Sequence, residues 1–230
     1  MDQQSVVFED SDLLVINKPS GLIVNNSLTA REGTLQDMIL GRIVIPDDES
    51  EFALRGGIVH RLDKDTSGLI LIAKNKSSFE SVKAQFKQRK VEKHYFGVVV
   101  GEIEDEILEI NAPIKRNPQN RMRFAVVEDG KEALTTARKI KIFEGYTFMD
   151  ISPKTGRTHQ IRVHFAALGH PIAGDPLYCS RSFLRSSLDR FGRMMLHAYS
   201  LSFSHPVTGK PMVLSCFPDE PIWKLFIPHK

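Results

Sequence analysis

Four consecutive strand-like segments constrain the fold of this chain more than any other feature. They read HYFGVVVG (94–101), EILEINAPI (106–114), EALTTARKIKIF (132–143) and YTFMDISP (146–153). β-Branched and aromatic residues are frequent in them, and turn residues separate them. Segments with helical spacing stand on either side, at 77–88 and 158–169. Helices scattered among consecutive strands indicate an α+β domain with a largely antiparallel sheet.

Local signals add detail to this pattern. The first helix is predicted to begin with a capping box of Ser77 and Glu80. The second is predicted to end at Gly169 and to direct three side chains inward, those of Ile161, Phe165 and Leu168. Earlier in the chain, GGIVHRLD (56–63) and GLILIAK (68–74) are expected to be strands, and a hairpin is expected near the C-terminus over 195–217.

Length and composition limit the class of protein. A chain of 230 residues can bury a substantial core, and we predict a single domain over 1–230. No run of 18 apolar residues predicts a membrane span, and the N-terminus shows no secretory signal. Cys179 and Cys216 have no metal-type spacing, which fits reduced thiols. We therefore expect a cytoplasmic protein that needs no obligate protein partner.

Basic residues cluster in three places. The net charge is +3, and the clusters lie at 87–93, 115–123 and 181–193. The segment 181–193 is predicted to be a loop, and the segment 115–123 is predicted to be a loop or a hairpin. Each cluster alone is typical of a solvated face, but together they fit a polyanion if the fold brings them to one side. The candidates for contact with such a polyanion are Arg116, Arg121, Arg181 and Arg185.

Several common chemistries lack their signatures. His159 and His164 are five residues apart, so on a helix they point roughly 140° away from each other and do not suit one metal ion. The chain contains neither a Cys-x-x-Cys pair nor a Gly-x-Ser-x-Gly elbow, and it has no phosphate-binding Gly-x-x-x-x-Gly-Lys loop. A metal site, a serine hydrolase and a P-loop nucleotidase are not predicted.

A turn rich in charges directly precedes the most apolar segment of the chain. It reads HRLDKDTSG (60–68), and LILIAKN follows at 69–75. An aspartate beside Thr-Ser-Gly usually stabilises the turn itself, and Asp65 fits that role better than Asp63. The residues alone leave open whether Asp63 is structural or functional.

Five segments in order resemble the RluA family of RNA pseudouridine synthases. The central block is GGIVHRLDKDTSGLILIAKN (56–75), preceded by NKPSGLIV (17–24). After it come KHYFGVVVGEI (93–103), TGRTHQIRVHFAALGHPIAGDPLY (155–178) and LHAYSLSFSHPVTGK (196–210). The resemblance extends over most of the chain. It implies a mixed, mostly antiparallel sheet with flanking helices and a central cleft, without the N-terminal S4 RNA-binding domain that many relatives carry.

The resemblance also implies a role for individual residues. Asp63 matches the catalytic aspartate, Tyr95 the tyrosine that stacks on the target base, and Arg162 the basic residue that pairs with the aspartate. Arg61 matches the arginine that enters the RNA stack where the base has left, and Leu196 is expected to line the uracil pocket. His60 either contacts a phosphate or stabilises the turn.

The implied reaction breaks the N1–C1′ bond of a flipped-out uridine in structured RNA, such as rRNA or tRNA, and rejoins the base through C5. It needs no net atom gain or redox equivalent, so no cofactor or metal is expected. Asp63 must be ionised, whether it attacks C1′ or removes a C2′ proton, and a guanidinium such as that of Arg162 favours the ionised form.

Two other functions stay open. One is a catalytically silent RNA-binding or ribosome-assembly module of the same fold. The other, a glycosidase built on Asp63 and Asp65, fits less well because both acids lie on one short turn and do not flank a sugar.

Overall fold

A computed structural model of the chain describes residues 5–26 and 33–226. Two compact units make it up. Unit 1 comprises Met1–Glu92 and Ala198–Phe217, and unit 2 comprises Lys93–His197 and Pro218–Lys230. Among the residues described, no helix has the length and apolar character to cross a membrane.

The helices and strands alternate irregularly along the chain. In chain order they are β1 (Val6–Glu9), β2 (Leu13–Lys18), α1 (Leu35–Ile39), α2 (Glu51–Leu54), β3 (Ser67–Ala73), α3 (Lys76–Lys87), β4 (Glu92–Val100), β5 (Ile107–Asn111), β6 (Ile114–Arg116), β7 (Phe124–Val126), β8 (Leu134–Phe143), β9 (Tyr146–Pro153), α4 (Gln160–Ala167), α5 (Arg181–Phe191), β10 (Leu196–Ser204), β11 (Pro211–Ser215) and a final 3₁₀ helix (Pro221–Leu225).

In unit 1 the strand order is β1-β2-β3-β10, with β11 paired to β10. β2 pairs antiparallel with β3, from Leu13 opposite Ala73 to Lys18 opposite Gly68. Every residue of β3 is buried, as its continuous apolar run predicts for a strand covered on both faces. Helix α3 packs against β3. This fully buried strand is the support for the turn that precedes it.

In unit 2 the strand order is β4-β9-β8-β5, and β6 and β7 form a separate hairpin. The pairs β4–β9, β8–β9 and β5–β8 are antiparallel. The segment that follows α4 runs beside β4, because Val100 N–H donates to Pro171 and Ala173 N–H donates to Val98. The predicted α+β class and mostly antiparallel sheet with flanking helices are therefore confirmed. The central cleft and the single domain stay predictions.

Some local predictions were wrong. The segment 56–63 forms only an isolated bridge at Ile58, since Gly56 and Gly57 both have positive φ and bend the chain out of extended geometry. The basic segment 181–193, predicted to be a loop, is mostly helix α5, which Ser180 caps and left-handed Gly192 ends. Leu168 is 46% exposed instead of buried.

Candidate active site

Asp63 lies on a tight turn that enters β3. The turn closes through a hydrogen bond of 3.2 Å from Thr66 N–H to the Asp63 carbonyl oxygen. The side chain before it, Leu62, is buried, whereas Asp63 itself is half-buried. The carboxyl group is thus carried on a short segment that is anchored in the core on both sides.

The ammonium group of Lys18 holds this turn in place through hydrogen bonds to backbone oxygens. Lys18 ends β2, and its side chain is fully buried. Its Nζ donates to the backbone oxygens of Pro19 at 2.8 Å, Leu22 at 2.9 Å and Lys64 at 2.9 Å. A buried charge is tolerated when hydrogen bonds replace its hydration. One cation therefore joins the 19–22 segment to the turn that carries Asp63.

The Pro-Ser-Gly turn makes two further contacts with the Asp63 turn. Gly21, at φ +87°, donates its N–H to the Lys64 oxygen at 2.9 Å, and Ser20 Oγ donates to the Asp65 oxygen at 2.8 Å. The two sequence blocks that carry Lys18 and Asp63 are thus one docked pair of turns. This contact was not predicted, since a lysine at the end of an apolar strand usually reaches solvent.

His60 anchors the other end of the charged segment. Its Nε2 accepts a hydrogen bond of 2.9 Å from Leu71 N–H of β3, and its ring stacks on Phe86 of α3 at a centroid distance of 4.8 Å. Of the two roles expected for His60, stabilising the turn has geometric support. Arg61 beside it is exposed, and its contact with RNA stays a prediction.

In unit 2, Tyr95 and Leu196 belong to one face of the sheet. Tyr95 is 9% exposed on β4, and Gly97 follows two residues later on the same face. A Cβ atom at Gly97 would lie 2.6 Å from Ile151 Cδ1 and 3.6 Å from Leu196 Cδ1. The missing side chain of Gly97 therefore leaves the room that Leu196 and Ile151 occupy beside Tyr95.

Arg162 forms a buried two-point ion pair with Asp175. Arg162 Nε lies 2.7 Å from Asp175 Oδ2, and Nη2 lies 2.8 Å from Oδ1. The two residues are 3% and 0% exposed. A guanidinium presents its N–H donors in a planar fork, and two of them fix the direction of this group on Asp175.

Further contacts hold both members of this pair. Asp175 Oδ1 accepts from the N–H groups of Leu177 at 2.8 Å and Tyr178 at 3.2 Å, and the Arg162 guanidinium lies 5.2 Å from the centre of the Tyr178 ring. Asp175 was missed from the sequence. The available signal was its position in the block GHPIAGDPLY (169–178). It was overlooked because an aspartate before Pro-Leu is typical of a structural turn.

The loop before α4 is held by side chains that were not expected to have roles. Gln160 accepts from Thr155 Oγ1 at 2.7 Å and from Arg157 N–H at 3.0 Å, and it donates to the Leu134 oxygen at 3.0 Å. His164 contacts the Ala112 oxygen at 2.9 Å, and burial lowers its pKa, which favours the neutral imidazole. Both side chains fix the helix that carries Arg162.

The four arginines expected to contact RNA are exposed. Arg116 and Arg121 lie in the β6–β7 hairpin, where Arg116 Nη1 donates to the Arg121 oxygen, and Arg181 and Arg185 lie on α5. Their contact with RNA stays a prediction. Arg190 on the same helix instead pairs with Glu144.

One group of potential metal ligands occurs among the described residues. Ligand atoms of Asp10, Asp12 and His205 lie within 4.8 Å of one another. Asp10 Oδ1 accepts from the N–H groups of Asp12 and Leu13, and Asp10 Oδ2 lies 2.9 Å from His205 Nε2. These hydrogen bonds give the cluster a structural role, because they join two turns of unit 1.

Comparison with known protein families gives a match to more than half of the chain. The family model described as RNA pseudouridylate synthase matches residues 12–167, a range that includes Asp63, Tyr95 and Arg162. The chain therefore belongs to the RNA pseudouridine synthase family of the RluA type, as its motifs had indicated.

Individual relatives are similar over nearly the whole chain. The ribosomal large subunit pseudouridine synthase D of Nitrosomonas europaea is 41% identical over 94% of this chain and 62% of its own length. The ribosomal large subunit pseudouridine synthase C of Vibrio vulnificus is 38% identical over 97% of this chain and 68% of its own. The chain thus spans about two thirds of the length of these relatives.

A solved structure shares the fold. That of human RNA Pseudouridylate Synthase Domain Containing 1 is 30% identical, with a TM-score of 0.71, over 94% of this chain and 83% of its own.

Proposed function

We propose that this chain isomerises uridine to pseudouridine in the RNA of the large ribosomal subunit, with Asp63 as the catalytic carboxylate. The anchored turn is the observation that carries the proposal. Lys18, Ser20, Gly21 and His60 hold this segment to the core, which is the preorganisation that a catalytic side chain requires. The choice of RNA follows the two relatives whose names specify the large ribosomal subunit.

The proposed chemistry assigns one task to each group. The N1–C1′ bond of the uridine breaks, the uracil turns, C5 bonds to C1′ and loses its proton, and N1 gains one. The Asp63 carboxylate acts on the sugar, either as the nucleophile at C1′ or as the base at C2′. Tyr95 is the stacking surface for the base, and Leu196 is an apolar wall of its pocket.

Arg162 is proposed to keep the reacting carboxylate ionised and aimed. Its two-point pair with Asp175 supports this role, because a guanidinium already fixed in position loses little freedom when it binds a second acid. Arginine suits this task better than lysine, whose ammonium has no planar fork.

Extrusion of the uridine from the RNA stack costs a few kcal/mol. Arg61 is proposed to fill the gap that the extruded base leaves. Its exposure at the edge of an anchored turn supports this role. Arg116, Arg121, Arg181 and Arg185 are proposed to contact the phosphate backbone, which adds salt-sensitive affinity and no sequence selectivity.

The test is tritium release from RNA labelled at C5 of uridine. Transcripts of large-subunit ribosomal RNA and a pool of transfer RNA are incubated separately with the protein. We expect release from the ribosomal transcript and not from the transfer RNA. Release from transfer RNA alone would contradict the proposed substrate. Binding without release from either RNA would contradict the activity and favour the silent RNA-binding module.

A further inference from the structure

Lys93 is a half-buried cation next to the proposed stacking tyrosine. It lies on β4 two residues before Tyr95, so both side chains belong to the same face of the strand. Its Nζ reaches the Thr155 oxygen at 3.4 Å, a long hydrogen bond. Burial and the nearby ammonium of Lys154 lower the pKa of Lys93 to about 8.

The contrast with Lys18 shows what Lys93 lacks. The buried Lys18 ammonium donates to three backbone oxygens at 2.8 to 2.9 Å. Over residues 5–26 and 33–226, Lys93 has one long contact and no ion pair. Because Lys93 is half-buried, water reaches its ammonium only in part, and an anion would supply acceptors that this single contact does not.

The second ammonium makes this place suitable for an anion. Lys154 is exposed and donates from Nζ to Ser152 Oγ at 3.1 Å. It acts on Lys93 through charge repulsion, which an anion bound between the two would relieve. The approach is open at Gly156, an exposed residue whose absent Cβ would lie 3.9 Å from Lys93 Nζ.

We propose that Lys93 and Lys154 form a subsite for one phosphodiester group of the RNA substrate, beside the base bound at Tyr95. The phosphate oxygens supply the acceptors that Lys93 lacks and offset the repulsion between the two ammonium groups. This inference rests on the proposed function, since that function places a polynucleotide at Tyr95. Binding raises the pKa of Lys93, so the complex takes up protons when it forms near pH 8.

The experiment measures binding of the large-subunit transcript as a function of salt and pH. For Lys93→Gln we expect weaker binding and a salt slope reduced by roughly 0.7–0.9. Wild-type affinity should fall as pH rises through 8, whereas Lys93→Arg, which stays charged, should lack this fall. The unfolding midpoint of Lys93→Gln at pH 7 should not drop, because the substitution removes an underpartnered charge.

A matched pair at residue 156 tests the location of the subsite. Gly156→Asp places a carboxylate beside Lys93, which should compete with the RNA phosphate and weaken binding, whereas Gly156→Ala should bind like wild type. An unchanged salt slope and pH dependence in Lys93→Gln, or equal affinities of the two Gly156 variants, would overturn the proposal.

Two controls separate the possible failures. Tritium release by the wild-type protein is recorded on the same samples, so a failure of the activity is seen independently of the Lys93 results. Inorganic phosphate at equal ionic strength is the second control. If it causes the same proton uptake as the RNA, the site takes free phosphate and the assignment to the RNA backbone is wrong.

Discussion

The buried charges of this chain show how individual side chains prepare the site. Arg162 and Asp175 are both almost fully buried, and two mutual hydrogen bonds plus two backbone N–H groups compensate them. Such a pair contributes little net stability compared with apolar residues, but removal of one partner leaves a buried charge uncompensated. Its value lies in the fixed direction of the guanidinium.

The substitution Asp175→Asn should therefore be strongly destabilising. The side chain keeps its shape but loses the charge that balances Arg162, and we expect the free energy of unfolding to fall by about 3–5 kcal/mol. Urea denaturation measures this loss. The control is Asp189→Asn on the exposed face of α5, which should stay within about 0.5 kcal/mol of wild type. Equal stability of the two variants would show that the pair is unimportant.

Two docked turns are the local element on which the proposed catalysis depends. The turn that follows β2 and the turn that precedes β3 share the Lys64 oxygen, which accepts from both Lys18 Nζ and Gly21 N–H. Neither turn has a regular hydrogen-bond ladder, so these contacts replace one. The position of Asp63 is thus set by the end of a strand 45 residues earlier in the chain.

Lys18→Met tests this docking. The variant keeps an apolar side chain of similar length but leaves three carbonyl oxygens without the ammonium. We expect the free energy of unfolding to fall by about 3 kcal/mol. Because the Asp63 turn loosens, the rate of tritium release at saturating RNA should fall roughly 10- to 100-fold.

The matched control for stability is Lys64→Met on the same turn. Its side chain is exposed, and its backbone oxygen remains available to Lys18. Unfolding of this variant should resemble that of wild type. A Lys18→Met protein with wild-type stability and rate would show that the ammonium does not hold the turn.

Across the chain as a whole, periodicity and motifs predicted the fold class well. Apolar runs and turn residues are local signals, so they located β3 and the C-terminal hairpin, and they left the segment 115–123 open as a loop or a hairpin. The family resemblance singled out Asp63 and Tyr95, and both lie in the range that the family model matches.

The partners of these residues could not be predicted in the same way. Asp175 lies 13 residues from Arg162, and the Lys18 contact to Lys64 joins residues 46 apart. Such pairings depend on tertiary packing, which leaves no periodic trace in one sequence. Helix α5 was missed because arginines dominate the segment, although Leu184, Leu188 and Phe191 recur at the spacing of a helix.

The most direct test of the account compares Asp63→Asn with Asp65→Asn in the release of tritium from labelled large-subunit transcript. Both substitutions remove one negative charge from the same turn. We predict that Asp63→Asn binds the RNA but releases tritium at least about 100-fold more slowly, whereas Asp65→Asn stays within a few-fold of wild type. A wild-type rate in Asp63→Asn would contradict the central role of this carboxylate.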